Sequence, residues 1–232
     1  MTSIGLFRSM DRTVNRRVWS TVAIAAMLLT GCTSDAADPK TGDRKVPNND
    51  KEAVATLAGG CFWCTEAVFE RMKGVNDVVS GYIGGHVENP TYEQVCAKLT
   101  GHAEACEIYY NPEVVSYEEL LKLFFKTHDP TTLNKQGMDE GPQYRSSIFY
   151  HDEEQKKIAE KYIKKLNESH EYRRPVVTLL EKATKFYPAE EYHQDYFRLN
   201  PNQGYCRAVV AKKVRKAKNL LGDNLKKEAD IK

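Results

Sequence analysis

The sequence predicts an α+β domain in which helices pack on a mixed, mainly antiparallel sheet. The chain has 232 residues, enough for one domain of medium size, and 41% of them are hydrophobic. Short apolar runs have the length of strands, and amphipathic stretches with helical spacing lie between them. We find no internal repeat. This order of elements is typical of a two-layer α/β sandwich.

The overall charge and hydropathy exclude two broad classes of function. The net charge is +2 and 28% of the residues are charged, whereas nucleic-acid-binding domains are strongly basic. A mean hydropathy of -0.59 is typical of a water-soluble globular protein. Any membrane contact is therefore expected in a local segment only.

Residues 1–31 have the pattern of a secretory signal peptide. Arginines precede an apolar run over residues 18–29, which is too short for a transmembrane helix. The run closes with Leu29-Thr30-Gly31-Cys32, which resembles a bacterial lipobox with Cys32 as the lipidated residue. The alternatives are an ordinary cleaved signal and an uncleaved anchor. Neither residue after Cys32 is aspartate, so we expect a lipid anchor in the outer membrane, facing the periplasm.

The composition changes twice along the rest of the chain. Residues 32–51 are rich in Asp, Lys, Pro, Asn and Gly with almost no large apolar residue, which predicts a disordered tether. We expect the folded domain over residues 52–206 and a basic C-terminal helix or tail over residues 207–232. The tail has apolar residues at helical spacing, at Val210, Val214, Ala217 and Leu221. It is expected to cover one side of the domain; contact with a membrane surface is the alternative.

The cysteines indicate redox chemistry. The chain has six, and without Cys32 five remain, at Cys61, Cys64, Cys96, Cys106 and Cys206. An odd number in an exported protein argues against a purely structural set of disulfides. At least one free thiol is therefore expected.

The first elements lead to one of these cysteines. Residues 53–58 predict a buried strand, and Gly59 and Gly60 predict a tight turn into a helix. Apolar residues then recur at helical spacing, at Ala67, Val68, Phe69 and Met72. Cys61 thus falls in or just before the first helical turn, where the helix dipole favours a thiolate. This predicts a nucleophile of lowered pKa; the alternative is a small buried cysteine.

The middle of the domain is predicted to hold a strand, a short helix and another strand. These cover residues 75–82, 92–99 and 105–110, with Glu104 at the entrance of the last strand. The helix would present one face, formed by Tyr92, Val95, Cys96 and Leu99. An acid at a strand edge is usually solvated, but one beside a reactive cysteine is a candidate for catalysis.

The second half continues the alternation. Ser116 and Glu119 have capping-box spacing and predict the start of a helix. A loop over residues 131–145 is long enough to suggest a functional role. The elements predicted after it are a strand over residues 147–150, a helix over 152–169, a strand over 176–180 and a helix over 186–200.

Five motifs occur together, in an order that resembles one family. They are Gly60-Cys61-Phe62-Trp63, Gly81-Tyr82-Ile83-Gly84-Gly85, Thr100-Gly101-His102-Ala103-Glu104, Asp139-Glu140-Gly141-Pro142-Gln143-Tyr144-Arg145-Ser146 and Tyr192-His193-Gln194. The set closely resembles peptide methionine sulfoxide reductase A over residues 53–206. The resemblance implies a ferredoxin-like sandwich, and it makes residues 52–206 a catalytic domain. The implied reaction reduces methionine S-sulfoxide, free or in peptides, to methionine as protein repair.

This chemistry needs a thiolate, an acid and an apolar pocket for the methyl group. Cys61 is the expected nucleophile. The resemblance implies that Glu104 is the acid, and burial would have to raise its pKa. It also implies roles for aromatic and acidic neighbours, with Tyr92 and Tyr144 binding the oxygen, Asp139 on the polar side of the pocket, and Phe62 and Trp63 gripping the methyl group.

A second thiol must reduce the sulfenic acid left on Cys61. The resemblance implies Cys206, in a mobile glycine-containing segment that has one extra residue relative to the family pattern. Cys64 is the alternative, because it forms a Cys-x-x-Cys pair with Cys61. We expect Cys96 and Cys106 to be packing residues. No metal or cofactor is implied; a thioredoxin-like dithiol protein would be the reductant, and the protein is expected to be a monomer.

Two other functions fit part of the pattern. Cys61-Phe62-Trp63-Cys64 after a strand has the spacing of a thioredoxin-type thiol-disulfide oxidoreductase. In thioredoxin-like sites, however, the tryptophan precedes the first cysteine and a cis-proline faces the pair. Here Trp63 lies between the two cysteines, and no facing proline is evident in the sequence. A zinc-binding module is the second alternative, but the sequence has no further Cys-x-x-Cys or His-x-His pair to support it.

Overall fold

A computed structural model of the chain describes residues 52–231. The signal peptide, the lipidated Cys32 and the tether predicted over residues 32–51 lie outside the described residues. No helix between residues 52 and 231 has both the length and the apolar character needed to cross a membrane.

The described residues alternate between strands and helices, as the sequence predicts. The strands are β1 (Ala53–Gly59), β2 (Val75–Ile83), β3 (Ala103–Tyr110), β4 (Lys135–Gln136), β5 (Asp139–Glu140), β6 (Ser146–Tyr150), β7 (Leu179–Lys182) and β8 (Tyr187–Pro188). The helices are α1 (Phe62–Phe69), α2 (Tyr92–Cys96), α3 (Tyr117–Thr127), α4 (Glu153–Glu168), α5 (Tyr196–Leu199) and α6 (Ala211–Leu221). A π-helical turn, Cys206–Val210, leads into α6.

One mixed sheet organises the domain. Its strand order is β7-β6-β1-β3-β2-β8. Only the pairing of β6 with β7 is parallel, and the other four pairings are antiparallel. The central strand β1 pairs on both edges, with Leu57 opposite Cys106 on β3 and Ile148 on β6. The predicted α+β class with a mixed, mainly antiparallel sheet is therefore confirmed.

The helices cover one face of this sheet. Alternate residues of the central strands point into a core that they share with α1, α3, α4 and α6, and this core includes Leu57, Val68, Ile108, Leu120, Phe125, Ile148, Ala159 and Val214. The opposite face holds a smaller apolar cluster, formed by Ala58, Ile83, Ala103, Ala105 and Phe149. Because side chains alternate along a strand, Glu104 lies on the helix face with Cys106 and Ile108.

The tail helix belongs to this packed core. The four residues picked out by helical spacing, Val210, Val214, Ala217 and Leu221, are all buried. They pack α6 against α1 and α3. The basic residues of α6 then lie along its other faces, which is the arrangement expected of a solvated helix that covers one side of a domain.

The helix predicted over residues 186–200 is wrong. The span contains the edge strand β8, a 3-10 turn at Glu191–His193 and the single turn α5. Pro188 pairs with Gly81 in the sheet, and Asp195 has a left-handed φ of 53°. Only glycine fits at position 81, because a Cβ there would lie 2.5 Å from the carbonyl oxygen of Tyr187. The close pairing of β8 with β2 therefore prevents a helix from forming at Tyr187–Pro188.

Smaller differences occur at other boundaries. The helix predicted over residues 92–99 ends at Cys96, because Lys98 has a left-handed φ of 65° and Leu99 is 77% exposed. The strand predicted over residues 176–180 is shifted towards the C-terminus, where β7 pairs with β6. Glu104 lies inside β3 and not at its entrance.

Candidate active site

The turn between β1 and α1 presents Cys61. Gly60 has a φ of 93°, and a Cβ on it would lie 2.5 Å from Cγ of Gln136, so no larger residue fits. Cys61 is the N-cap residue of α1, and its carbonyl oxygen accepts the backbone N–H of Cys64 at 3.1 Å. The predicted position of Cys61 at the helix start is confirmed.

The expected lowering of the Cys61 pKa is wrong. Burial raises the pKa of this thiol well above its ordinary value, and a hydrogen bond with Cys64 and the charge of Glu104 raise it further. The loss of hydration thus outweighs the favourable helix start. In the same pair the pKa of Cys64 falls to about 7, first through the hydrogen bond from Cys61 and also through the charge of Lys213. The two thiols therefore titrate as one hydrogen-bonded pair.

Glu104 reaches the start of α1 from the central strand β3. Its carboxylate accepts the backbone N–H of Phe62 at 3.1 Å, next to Cys61. The side chain is 2% exposed. Burial raises the pKa of Glu104 to about 8, and the charges of Asp139 and Cys64 add to the effect, although the Phe62 N–H opposes it. A carboxyl group that keeps its proton near neutral pH therefore lies beside the thiol.

Asp139 and Tyr144 join Glu104 from the loop predicted over residues 131–145. Burial raises the pKa of Tyr144, and the nearby charges of Glu104 and Cys61 raise it further. Asp139, on β5, accepts a hydrogen bond from the Tyr205 hydroxyl at 2.5 Å. We call Glu104, Asp139 and Tyr144 the acid side of the site.

Arg145 holds the acid side together. It is 8% exposed, and its Nη1 donates to the carbonyl oxygens of Gly101 and Pro142, both at 3.1 Å. One guanidinium thus ties the loop that leads into β3, just before Glu104, to the turn that carries Tyr144. Sequence reasoning placed Arg145 in a motif but gave it no role.

The aromatic residues after Cys61 face a different part of the chain. Phe62 is 1% exposed and packs against Tyr82 and His193, with ring centroids 5.9 and 5.1 Å away. Trp63 stacks on Tyr196 at 3.7 Å, and its Nε1 donates to Nδ1 of His193 at 3.2 Å. Burial lowers the pKa of His193, which keeps this acceptor nitrogen free of a proton.

Residues 189–196, here called the wall segment, supply those partners. The Gln194 amide accepts from the Ser80 N–H at 3.0 Å and donates to the carbonyl oxygens of Ser80 and Ala189, both at 2.9 Å. Glu66 accepts the Tyr196 N–H at 3.2 Å and the Ser80 hydroxyl at 3.1 Å. The wall segment is therefore fixed to β2 and α1 by side chains.

Sequence reasoning missed Glu66, Tyr196 and the role of His193. One signal for Glu66 was available, because it lies one turn after Phe62 on the apolar face of α1. It is 1% exposed, and burial raises its pKa to about 7. A glutamate at a buried helical position needs hydrogen-bonding partners. His193 was marked only as part of the motif Tyr192-His193-Gln194, and no pattern marked Tyr196, because the wall segment has no regular periodicity.

Tyr92 lies at the first position of α2. Burial raises its pKa, and hydrogen bonding to Cys96 and the charge of Glu104 contribute. Thr91 and Gln94 form a capping box in front of it. Tyr144, the other side chain predicted to bind the oxygen, also raises the pKa of Tyr92, and Glu104 raises the pKa of both tyrosines. The structure therefore brings both tyrosines together near Glu104.

All five cysteines in the described part of the chain are free thiols. Cys206 is fully buried at the start of the π-helical turn, where its N–H donates to Oε1 of Gln203 at 3.1 Å. Burial raises its pKa, and the charge of Cys64 adds to the effect. Cys106 is also buried, and its thiol donates to the carbonyl oxygen of Phe62 at 3.6 Å. Cys96 is half-buried on α2.

Comparison with known proteins gives consistent matches. The sequence model of the family described as peptide methionine sulfoxide reductase matches residues 53–225. Peptide methionine sulfoxide reductase MsrA 1 of Rhodopirellula baltica is 69% identical over 182 residues, which cover 78% of this chain and 94% of that protein. The MsrA of Thermus thermophilus is 53% identical over 167 residues, with coverage of 72% and 94%.

Solved structures agree with these matches. The reduced form of Mxr1 from Saccharomyces cerevisiae has a TM-score of 0.61 and 37% identity, covering 67% of this chain and 90% of that one. Methionine sulfoxide reductase A of Corynebacterium diphtheriae has a TM-score of 0.60 and 33% identity, with coverage of 69% and 80%. From its sequence and its structure, the chain belongs to the peptide methionine sulfoxide reductase A family.

Proposed function

We propose that Cys61 and Glu104 carry out the reduction of methionine S-sulfoxide to methionine, the protein-repair reaction of this family. The observation that carries the assignment is the contact between a buried carboxyl group of raised pKa and the first turn of α1, where Cys61 lies. The thiol-disulfide oxidoreductase and zinc-binding alternatives have no comparable support, because neither chemistry includes a leaving oxygen that an acid must protonate.

In the first step, the Cys61 sulfur attacks the sulfoxide sulfur while Glu104 gives its proton to the sulfoxide oxygen. Tyr92 and Tyr144 donate hydrogen bonds to that oxygen. The sulfur–sulfur bond made by the attack and the S–O bond of the substrate then break as the oxygen, with the proton from Glu104, passes to Cys61, which becomes a sulfenic acid, and methionine leaves. Cys64, which is hydrogen-bonded to Cys61, is proposed as the acceptor of the Cys61 proton.

Substrate selection is proposed to depend on Phe62 and Trp63. Trp63 is half-buried, and its ring is oriented by Tyr196 and His193. A fixed apolar surface on one side and oxygen-binding groups on the other accept one sulfoxide epimer, which we propose is the S form. Asp139, held by Tyr205, supplies the polar edge of the pocket.

The second step needs another thiol, for which we propose Cys206, with Cys64 as the alternative. A Cys206 thiol condenses with the Cys61 sulfenic acid to form a disulfide and release water. The burial of Cys206 beside Cys64 supports a short path to the site. The position of Cys64 three residues after Cys61 supports the alternative. A thioredoxin-like dithiol protein would reduce the disulfide.

We also propose that the central strands form a ferredoxin-like unit. The chain order β1-α1-β2-β3-α3-β6 and the spatial order β6-β1-β3-β2 support this assignment, because they describe two interleaved split βαβ units. Residues 1–31 and Cys32 are proposed as a lipoprotein signal and lipidation site that place a monomeric enzyme on the periplasmic side of the outer membrane.

Mass mapping after one equivalent of methionine S-sulfoxide tests the proposal. We expect one equivalent of methionine and a disulfide between Cys61 and Cys206. A disulfide between Cys61 and Cys64 would transfer the resolving role to Cys64. If no methionine forms while the protein reduces insulin disulfides, the oxidoreductase alternative would replace the proposed function.

A further inference from the structure

Glu190 links three groups of the site. Its Oε2 accepts a hydrogen bond from the buried Tyr82 hydroxyl at 2.9 Å, and its Oε1 accepts the backbone N–H of Tyr92 at 2.9 Å. Nε2 of His193 lies 4.0 Å from Oε2. The carboxylate therefore connects the wall segment with β2 and with the start of α2.

The contact with Tyr92 matters because α2 is short. The helix has five residues, so packing of its own side chains gives it little rigidity. The first N–H groups of a helix have no acceptor within the helix, and a negative charge there is favourable. The capping box of Thr91 and Gln94 satisfies other groups at this end, while Glu190 supplies the acceptor for the N–H of Tyr92 itself.

We propose that Glu190 is a positioning residue for Tyr92, fixing the start of α2 and thereby the place of the Tyr92 hydroxyl against the sulfoxide oxygen. The inference rests on the proposed function, in which Tyr92 contacts that oxygen. In this role Glu190 acts through Tyr92, and not directly on the sulfoxide or on Cys61. Tyr82 donates to the same carboxylate and so holds it in the orientation that Tyr92 needs.

A double-mutant cycle tests the inference with the full chain and methionine S-sulfoxide. We expect Glu190→Ala to lower kcat/KM by roughly 10- to 100-fold, since small misplacements of a catalytic group have effects of this size. The loss should be in kcat with KM little changed. In a Tyr92→Phe background, the same substitution should cost less than about threefold, because the group it positions is already missing.

Glu191→Ala is the matched control, because Glu191 is an exposed carboxylate in the next position. It should change kcat/KM by less than about twofold. If Glu190→Ala does not fold, Glu190→Asp serves in the same cycle, since it is one methylene too short to reach both partners.

The outcomes separate this inference from the proposed function. Equal losses from the Glu190 substitution with and without the Tyr92 hydroxyl would show that Glu190 acts elsewhere and would overturn the inference. Normal activity of Glu190→Ala would do the same. Absence of sulfoxide reduction by the unchanged protein would instead contradict the proposed function.

Discussion

The acid side of the site and the wall segment differ in how the fold holds them. Glu104 lies on the eight-residue strand β3, where it pairs with Tyr82 of β2, and Arg145 ties the loop before β3 to the turn that carries Tyr144. The wall segment follows the two-residue edge strand β8 and depends on the amide of Gln194. The proton-donating group is thus held by a long strand paired in the sheet, whereas the aromatic surface is held by a few side-chain hydrogen bonds.

The difference indicates a division of labour. A general acid must stay within hydrogen-bonding reach of the reacting oxygen, so a rigid strand suits it. A surface that receives differently shaped peptides around one sulfoxide tolerates a less regular support. Variants of both regions test this contrast, beginning with Cys61, the nucleophile that both regions serve.

Cys61→Ser should abolish sulfoxide reduction, because a serine hydroxyl cannot be oxidised to a sulfenic acid. The measurement is methionine formed per enzyme molecule in a single turnover. Cys96→Ser is a matched control and should retain activity, since a serine hydroxyl can replace the Cys96 thiol in its hydrogen bond with Tyr92. Methionine formation by Cys61→Ser above the uncatalysed rate would contradict the assignment of the nucleophile.

Glu104→Gln should lower kcat by about 10²- to 10⁴-fold, the usual contribution of a general acid, while the fold stays intact. Glu107→Gln provides the control, because Glu107 lies on the same strand with its side chain on the opposite face. Circular dichroism and thermal unfolding establish that both variants fold. Near-normal turnover by Glu104→Gln would refute the acid assignment.

Cys206→Ser should complete one turnover and then stop, because the sulfenic acid on Cys61 forms without Cys206 but is not recycled by a dithiol protein. Steady-state turnover with thioredoxin compared with the single-turnover yield makes this distinction. Should Cys206→Ser sustain full turnover, the resolving role passes to Cys64. Cys64→Ser in the same assay is then expected to lose recycling.

Activity should fall as pH rises through about 8. The pKa of Glu104 is raised to about 8, so its carboxyl group keeps the proton below that pH and loses it above. Each further pH unit reduces the protonated fraction about tenfold. The single-turnover rate against pH measures the effect. A rate that continues to rise between pH 8 and 9.5 would mean that loss of a thiol proton, and not the acid, controls the step.

Gln194→Ala should loosen the wall segment while leaving the acid side unchanged. It leaves the buried N–H of Ser80 without its acceptor, at about 1–3 kcal/mol for an unsatisfied group, whereas the Ser80 carbonyl oxygen keeps the backbone N–H of Ala189. Hydrogen exchange should become faster in residues 189–196, with β1 and β3 as internal references. Equal acceleration in β3 would show that the two sides are held as one unit.

The sequence predicted the acid side well because that part of the fold obeys simple patterns. Apolar runs located β1 and β3, and the glycines before Cys61 located the start of α1. The family resemblance added Glu104, Tyr144 and Asp139, and the structure places them close to one another. Periodicity and turn chemistry are local properties, so they can be recognised in the sequence without knowledge of tertiary contacts.

The wall segment could not be predicted in the same way. Its conformation depends on contacts between residues far apart in sequence, such as Gln194 with Ser80 and Glu66 with Tyr196. Pro188 looked like a residue near a helix start, but its pairing with Gly81 decided the local structure. The prediction of a lowered pKa for Cys61 was wrong for a related reason, since the cost of burying a charge depends on the whole core.

The burial of the thiols affects how well the enzyme resists oxidants such as peroxide. Cys61 is 8% exposed, Cys64 1% and Cys206 0%. Peroxide reacts fastest with accessible thiolates, and over-oxidation to a sulfinic acid is irreversible for most proteins. An enzyme with concealed thiols is spared much of the damage that it repairs. Under oxidative stress, its capacity would then be set by the supply of oxidised methionine and of reductant, and not by its own survival.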